Sequence, residues 1–191
     1  MGLMYSEPVL EASYSGDLRQ LYALLKLHPQ SVNAQDSYFG DTPLIASCRR
    51  GDAKTAHFLL VRGADPSLRN KKERTCLHYV CRQTLSVLDF LMICILMPIL
   101  LLGYFLLLQK QRNQASLLQE LLERGADVNA VDYKGNTALH YLCLRKNHRL
   151  VPALLQRHAH LHIRNKDGET PLDIALRLGH LRIIRLLQKS H

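Results

Sequence analysis

The chain has 191 residues, of which 47% are apolar and 21% are charged, and this composition excludes a disordered polypeptide. Lysine and arginine outnumber aspartate and glutamate by 25 to 16, and the formal charge of +9 suits an anionic surface such as lipid headgroups or nucleic acid. Because the basic residues do not form one long tract, we expect no nucleic-acid partner.

The N-terminus has no basic stretch followed by an apolar run, so we expect no secretory signal peptide. Residues 1–6, Met-Gly-Leu-Met-Tyr-Ser, match the N-myristoylation pattern, with Gly2 exposed after removal of Met1. The alternative is coincidence, since such a pattern arises by chance in roughly one chain in a hundred. We predict an acylation signal at residues 1–6, with Gly2 as the lipidated residue.

Four short segments with a threonine two residues before a leucine recur along the chain, at residues 41–44, 74–77, 136–139 and 169–172. Thr42 and Thr75 are 33 residues apart, and so are Thr137 and Thr170. Thr75 and Thr137 are separated by one such period plus 29 residues. A Gly-Ala-Asp tripeptide follows two of the expected second helices, at residues 63–65 and 125–127. A fixed period of this length indicates a stack of repeats with one insertion.

This pattern resembles the ankyrin-repeat family, whose unit is Thr-Pro-Leu-His, two antiparallel helices, Gly-Ala-Asp and a hairpin-like finger. The threonine is expected to cap the first helix, and the glycine to end the second helix in a left-handed conformation. A weaker first copy runs from Glu7 to Asp36, with His28-Pro29 in place of Gly-Ala. The resemblance implies an all-α ankyrin-repeat solenoid of about five helix pairs at residues 7–83 and 113–191, with a hydrophobic helical hairpin inserted in repeat three.

Residues 84–112 are the insertion. When they are removed, Gln83 meets Asn113, which then falls at the turn position of Gly51 and Gly179. Residues 90–108 carry no charge, and their leucine, isoleucine and phenylalanine side chains predict roughly −4 to −8 kcal/mol for membrane insertion. A buried core helix should show a polar face, and this run has none. We therefore predict membrane insertion through Phe90, Leu91, Ile93, Ile95, Leu96, Pro98, Ile99, Leu100, Leu101, Leu102, Phe105, Leu106, Leu107 and Leu108.

The length of this run permits a single pass, because 19 helical residues reach about 28 Å. A single pass, however, would place the two helices of repeat three about 30 Å apart instead of the usual 8–10 Å. Basic residues such as Arg82 and Lys110 flank both ends, so the positive-inside rule favours neither orientation. We predict a monotopic hairpin that turns near Pro98 and returns to the cytosolic side.

Several cysteine and histidine residues could be mistaken for metal ligands. Cys76, His78 and Cys81 lie close together in sequence, but His78 and His140 occupy the family's structural histidine position. Cys48, Cys81 and Cys143 each follow their repeat's threonine by six residues, where a small buried residue is expected. The odd count of five cysteines, which includes Cys94, indicates free thiols in a reducing compartment.

His158, His160 and His162 alternate, so an extended strand would direct all three the same way. Zinc binding is one interpretation, but no fourth ligand is evident nearby, and we favour partner contacts. Asp36, Asp132 and Asp167 are expected to form finger turns rather than to act as catalytic acids. We expect no metal, no cofactor, no small-molecule substrate and no enzymatic activity, because no catalytic motif is present.

Ankyrin solenoids bind proteins through their fingers and first helices, so the resemblance implies a protein partner. The candidate contact residues are Tyr38, Phe39, Lys72, Tyr133, Lys134, His160, His162 and Lys166. Together with the two membrane signals, they predict a lipid-anchored adaptor or scaffold at the cytosolic face of a membrane. We expect the protein to be located at the endoplasmic reticulum or a lipid droplet, with a mitochondrial membrane as the alternative.

A different interpretation is a single-pass transmembrane subunit of a transport or membrane lipid-metabolism assembly. Such a helix should carry small or polar residues that contact neighbouring helices. Only Gly103 and Tyr104 meet that requirement within the apolar run, so this interpretation ranks second.

Overall fold

A computed structural model describes residues 3–83 and 100–189, with side chains described for residues 8–83 and 108–189. Within these ranges the chain is all-helical and contains no strand. The α-helices are α1 (Leu3–Ser15), α2 (Leu18–Leu27), α3 (Pro43–Arg50), α4 (Ala53–Val61), α5 (Cys76–Arg82), α6 (Leu100–Glu123), α7 (Ala138–Leu144), α8 (Val151–Gln156), α9 (Pro171–Arg177) and α10 (Leu181–Lys189), and a 3-10 helix (Pro29–Asn33) follows α2. They pair as first and second helices of successive repeats.

The repeat threonines start the first helices, as predicted. Thr42 Oγ1 accepts a hydrogen bond from the Ile45 amide at 3.2 Å, and Thr170 Oγ1 accepts one from the Asp173 amide at the same distance. The second helices of repeats one and two have caps that the repeat pattern did not predict. Asp17 caps α2 and Asp52 caps α4, and each carboxylate accepts two backbone amides. These hydrogen bonds satisfy donors that a helix N-terminus would otherwise leave unpaired.

The first helices stack in the order α1, α3, α5, α7 and α9, and the second helices pack behind them. Corresponding leucines of the first helices, Leu44, Leu77 and Leu139, are buried in one continuous core. Leucines of the second helices complete this core, among them Leu59, Leu121 and Leu154. Each repeat therefore covers an apolar face of its neighbour, and burial of this kind supplies most of the stability of a solenoid.

The fingers join successive repeats through backbone hydrogen bonds at their tips. The amides of Lys71, Tyr133 and Lys166 donate to carbonyl oxygens of the preceding finger at 3.0, 3.2 and 2.8 Å. Inside each finger, an Asp or Asn side chain accepts backbone amides and holds the turn; these residues are Asp36, Asn70, Asp132 and Asn165. Asp167 lies in its finger turn, as expected, and its amide donates to Asn165 Oδ1, whose side chain holds that turn.

Helix α6 differs from every other second helix in its length. It runs without interruption from Leu100 to Glu123, so the prediction of a turn at Asn113 is wrong. Asn113 lies inside the helix, because extending an existing helix through one asparagine costs only about 0.5 kcal/mol, less than starting a new one. The second helix of repeat three therefore continues directly from the inserted segment.

The predicted hairpin turn at Pro98, the residues Phe90–Ile99 and the lipidation residue Gly2 lie outside the described residues. Of the predicted insertion residues, those from Leu100 to Leu108 form the first part of α6. Among residues 3–83 and 100–189, no helix is both long and apolar enough to cross a membrane.

Candidate functional site

A basic groove lies between the fingers and first helices of repeats two and three. Its volume is about 260 Å³. The walls are formed by aromatic, basic and amide side chains, which are Tyr38, Phe39, Arg49, Asn70, Lys71, Lys72, Arg74, Tyr79 and Arg82. We call this surface the finger groove. Its predominance of cations and rings makes it suitable for an anionic, partly apolar segment of a partner.

Arginines and aromatic rings alternate along the finger groove. The guanidinium carbon of Arg49 lies 4.8 Å from the ring centroid of Phe39 and 6.0 Å from that of Tyr79. The guanidinium carbon of Arg74 lies 5.9 Å from the Tyr79 centroid and 5.2 Å from the Tyr133 centroid. These separations permit cation–π attraction. The alternation extends from the finger of repeat two to the finger of repeat four and fixes the orientation of its arginines.

Asp41 organises the repeat-two end of the groove. Its carboxylate accepts hydrogen bonds from Tyr14 Oη at 2.7 Å, Arg49 Nη1 at 3.1 Å and Asn70 Nδ2 at 2.6 Å. Burial raises the pKa of Tyr14 well above its usual value, and the neighbouring Asp41 carboxylate raises it further. These contacts join repeats one, two and three, so the groove wall is continuous with the core.

Asp132 organises the other end. Its Oδ2 accepts Arg74 Nε at 3.2 Å and Tyr141 Oη at 2.7 Å. Burial alone would raise the pKa of Asp132, but the hydrogen bonds from Tyr141, backbone amides and Arg74 outweigh it and lower that pKa. Burial, together with the adjacent Asp132, raises the pKa of Tyr141 to about 12. Asp132 is thus held as a carboxylate, in keeping with its predicted structural role.

His78 and His140 form the structural hydrogen bonds predicted for them. His78 Nδ1 accepts the Thr75 amide at 3.2 Å, and His78 Nε2 lies 3.0 Å from the Asn136 carbonyl oxygen of the next repeat. His140 repeats this arrangement with Thr137 and the Glu169 carbonyl oxygen. Burial lowers the pKa of both imidazoles, which keeps them neutral. Both histidines therefore link successive repeats.

All the predicted partner-contact residues are exposed, but they do not form one surface. Tyr38, Phe39 and Lys72 line the finger groove, and Tyr133 adjoins it through Arg74. Lys134 Nζ lies 5.8 Å from the Tyr133 ring centroid, and the Lys166 amide donates to the Lys134 carbonyl oxygen. The remaining two, His160 and His162, line a different, shallow depression beside Leu155.

Sequence reasoning missed the part of the groove supplied by the first helices, namely Arg49, Tyr79 and Arg82. A periodic signal could have revealed two of them. Arg49 and Arg82 each follow their repeat's threonine by seven residues. The same position therefore presents a guanidinium to the groove in two consecutive repeats.

The cysteines that could be mistaken for metal ligands are placed as small buried residues. Cys48, Cys81 and Cys143 are buried thiols as predicted, and burial raises the pKa of Cys143 to about 12. Within residues 3–83 and 100–189, no group of three or more His, Cys, Asp or Glu residues is placed to hold a metal ion. Cys94 lies outside the described residues.

Family comparison agrees with the repeat architecture. The family profile described as ankyrin repeats (three copies) matches residues 9–95 and 106–191. The chain belongs to the ankyrin-repeat family. This ankyrin-repeat chain is also similar to Protein glp-1 of Caenorhabditis elegans, with 28% identity over 182 residues that cover 82% of the chain and 13% of that relative. The chain thus spans about an eighth of the length of the curated relative it matches. Ankyrin repeats are typically non-enzymatic modules that contact other proteins.

Proposed function

We propose that this ankyrin-repeat protein is an adaptor, tethered to a membrane by the apolar run at residues 90–108, that binds a protein partner on the cytosolic side. The observation that carries the proposal is the assembly of repeat three. Helix α5, which precedes the insertion, packs against α6, which follows it. Gln114 Nε2 on α6 donates to the Val80 carbonyl oxygen on α5 at 2.7 Å.

This contact is the reason for preferring a hairpin to a single pass. Gln114 Nε2 also lies 3.4 Å from the carbonyl oxygen of Gln83, the last described residue before the insertion. Two ends that hydrogen-bond to each other belong on the same side of a membrane. A single pass would separate them by about 30 Å and would break repeat three.

The partner is proposed to bind the finger groove through an acidic segment with an apolar or aromatic residue. Lys72 and Arg82 line the groove and form no ion pair with an acidic side chain of the described residues. Asp41, by contrast, is fully buried and engaged with Tyr14 and Arg49, so it offers no charge to a partner. Tyr38, with 78% of its surface exposed, supplies apolar contact area beside these cations.

The membrane tether is proposed to have two parts. A myristoyl chain at Gly2 alone would bind a bilayer only marginally, so the apolar hairpin is expected to be the main anchor. A hairpin that does not emerge on the far side suits the cytosolic leaflet of the endoplasmic reticulum or a lipid-droplet monolayer, with a mitochondrial membrane as the alternative. Anchoring confines the partner to two dimensions and raises its local concentration.

Proximity labelling with three forms of the protein separates tethering from partner binding. The intact protein should label membrane proteins and the partner, and a form lacking residues 84–112 should label the partner without the membrane proteins. The doubly substituted Lys72→Glu/Arg82→Glu form should still label the membrane proteins but should no longer label the partner. A deletion form that still labels the membrane proteins would contradict the tether, and a groove variant with unchanged labelling would contradict the binding surface.

A further inference from the structure

One edge of the solenoid is formed by the turns between the first and second helices, and it lies opposite the fingers. The turns are adjacent in space from repeat to repeat. A Cβ on Gly16 would lie 2.7 Å from Asp52 Oδ2, and one on Gly51 would lie 2.9 Å from Gln83 Nε2. At the other end of the row, His180 Nδ1 lies 2.9 Å from the Cys143 carbonyl oxygen. We call this row of turns the turn edge.

The turn edge carries a concentration of positive charge. Its exposed cations are Arg50, Arg112, Arg145, Lys146, Arg149 and Arg182. None of them forms an ion pair with an acidic side chain in the described part of the chain. The acidic residues here, Asp17 and Asp52, cap α2 and α4 by accepting backbone amides. The helix N-termini offset part of this negative charge, and the more numerous cations dominate the potential of this edge.

The fingers differ from the turn edge in their charge balance. Basic and acidic residues occur there in similar numbers, for example Lys71 and Glu73, or Lys166 and Asp167. Several finger cations are also engaged in ion pairs, such as Arg74 with Asp132 and Arg69 with Glu73. The turn edge, from which the inserted segment leaves the solenoid, thus carries a net positive charge that the fingers lack.

Helix α6 sets the distance between the turn edge and the apolar run. The uncharged run ends at Leu108, and the Gln114 side chain of α6 hydrogen-bonds to the Val80 carbonyl oxygen of α5. The helix rises about 9 Å from Leu108 to Gln114. That rise slightly exceeds the thickness of the polar headgroup layer, roughly 5–8 Å per leaflet, and it is close to the Debye length of about 8 Å at physiological salt.

We infer that the turn edge is a second, electrostatic membrane-binding surface, which rests on anionic lipid headgroups and directs the fingers away from the bilayer. This inference rests on the proposed membrane tether for the position of the bilayer, but the surface itself consists of described residues only. The lipid class it fits is an anionic phospholipid such as phosphatidylserine. Guanidinium groups suit it because they bind phosphate and carboxylate oxygens in a bidentate manner.

The test uses the full chain, synthesised without cells in the presence of vesicles and separated by flotation. One vesicle is phosphatidylcholine alone, and the other contains about one third phosphatidylserine, which gives the surface a negative potential. Binding to neutral vesicles measures the contribution of the apolar tether. The gain, which is the increase in binding on anionic vesicles, measures the contribution of the turn edge. The variant is Arg145→Gln/Lys146→Gln/Arg149→Gln, and the matched control is Lys71→Gln/Lys134→Gln/Lys166→Gln on the fingers.

We expect the wild-type protein and the finger control to bind anionic vesicles on the order of tenfold better than the turn-edge variant, with equal binding to neutral vesicles. The gain should also disappear in wild-type protein as sodium chloride is raised to about 1 M, where the Debye length is about 3 Å. This salt titration needs no folded variant.

Three results would overturn the inference: no gain on anionic vesicles, a salt-independent gain, or an equal loss in both variants. Binding of an RNA duplex that the turn-edge substitutions abolish, without any gain on anionic vesicles, would assign the edge to nucleic acid and also overturn it. Failure of the wild-type protein to bind neutral vesicles would contradict the tether alone, because the anionic gain is measured separately.

Discussion

Arg74 and Asp132 form a buried ion pair between repeats three and four, with Arg74 Nε 3.2 Å from Asp132 Oδ2. Arg74 Nη2 also donates to Tyr141 Oη at 2.9 Å, and Tyr141 donates to the same carboxylate oxygen. Asp132→Asn removes the negative charge and leaves the Arg74 cation buried without its counterion. We expect a loss of about 3 kcal/mol in the free energy of unfolding, measured by urea denaturation. Asp167→Asn, at an exposed finger tip, is the control and should change it by less than about 0.5 kcal/mol. Equal effects from both substitutions would contradict this role for Asp132.

Stability should fall on mild acidification because of His78 and His140. The pKa of each imidazole is lowered in the folded state, so the unfolded chain binds the proton more readily. Their contribution is therefore fully present above the unfolded pKa of about 6.5 and is lost as the pH falls below it. We expect a lower melting temperature at pH 5.5 than at pH 7.5. His78→Gln or His140→Gln should reduce that difference, and His160→Gln, on an exposed finger, should not. A difference that the buried-histidine variants leave unchanged would exclude this origin.

Glu73 occupies a backbone conformation that glycine adopts in the other fingers. Its φ is +54°, whereas Gly40, Gly135 and Gly168 hold the same position with φ between +70° and +77°. A side chain in the left-handed region costs roughly 1–2 kcal/mol, more than the unfolded-state entropy that glycine adds. Glu73→Gly should therefore stabilise the protein by about 0.5–1 kcal/mol in thermal unfolding.

Gly135→Ala is the opposite test of the same geometry. It should be destabilising, because a Cβ there would lie 3.1 Å from the backbone nitrogen of Lys166 in the next finger. Destabilisation by Glu73→Gly would show that the Glu73 side chain contributes more than its backbone strain costs.

Charge reversal in the finger groove should weaken partner binding without unfolding the protein. Lys72 and Arg82 are exposed and line the groove, so Lys72→Glu/Arg82→Glu repels an acidic segment and adds no buried charge. We expect at least about a tenfold loss of affinity for the captured partner, with stronger binding at low salt in the wild-type protein. Lys26→Glu/Arg157→Glu changes the same number of charges on α2 and beside α8, outside the groove, and should leave affinity within about twofold. Equal losses in the two variants would place the partner elsewhere.

The repeat stack could be predicted from the sequence because each repeat contains the residues that determine its own local structure. The threonine caps, the prolines that start α3 and α9 and the glycines at positions 63 and 125 act within a few residues. The buried leucines follow from the same 33-residue period.

The groove could be predicted only in part, because it depends on contacts between repeats. Arg74 and Asp132, which pair in the structure, are 58 positions apart in sequence. The aromatic rings around Arg74 come from the helices α5 and α7 and from one finger. Finger residues such as Tyr38 were identified because the family resemblance places fingers at the binding surface, whereas no residue of the first helices was named as a candidate contact.

The continuity of α6 could not be inferred from the repeat alignment. Aligning the copies placed Asn113 at a turn because an uninterrupted repeat has one there. The inserted segment supplies a helix that is already formed at that point, and helix propagation then overrides the weak turn preference of one asparagine. The positive φ of Glu73 has a similar explanation, since the hydrogen bonds of Asn70 to the surrounding amides impose the turn despite the residue type.

The most direct test of the account is the membrane topology of the two termini. Epitope tags on both ends should be digested together by protease added after selective permeabilisation of the plasma membrane, and both should stay accessible in a form lacking residues 84–112. Protection of one terminus alone in the intact protein would place α5 and α6 on opposite sides of a membrane. That result would contradict the contact between Gln114 and Val80 and, with it, the proposed tethered adaptor.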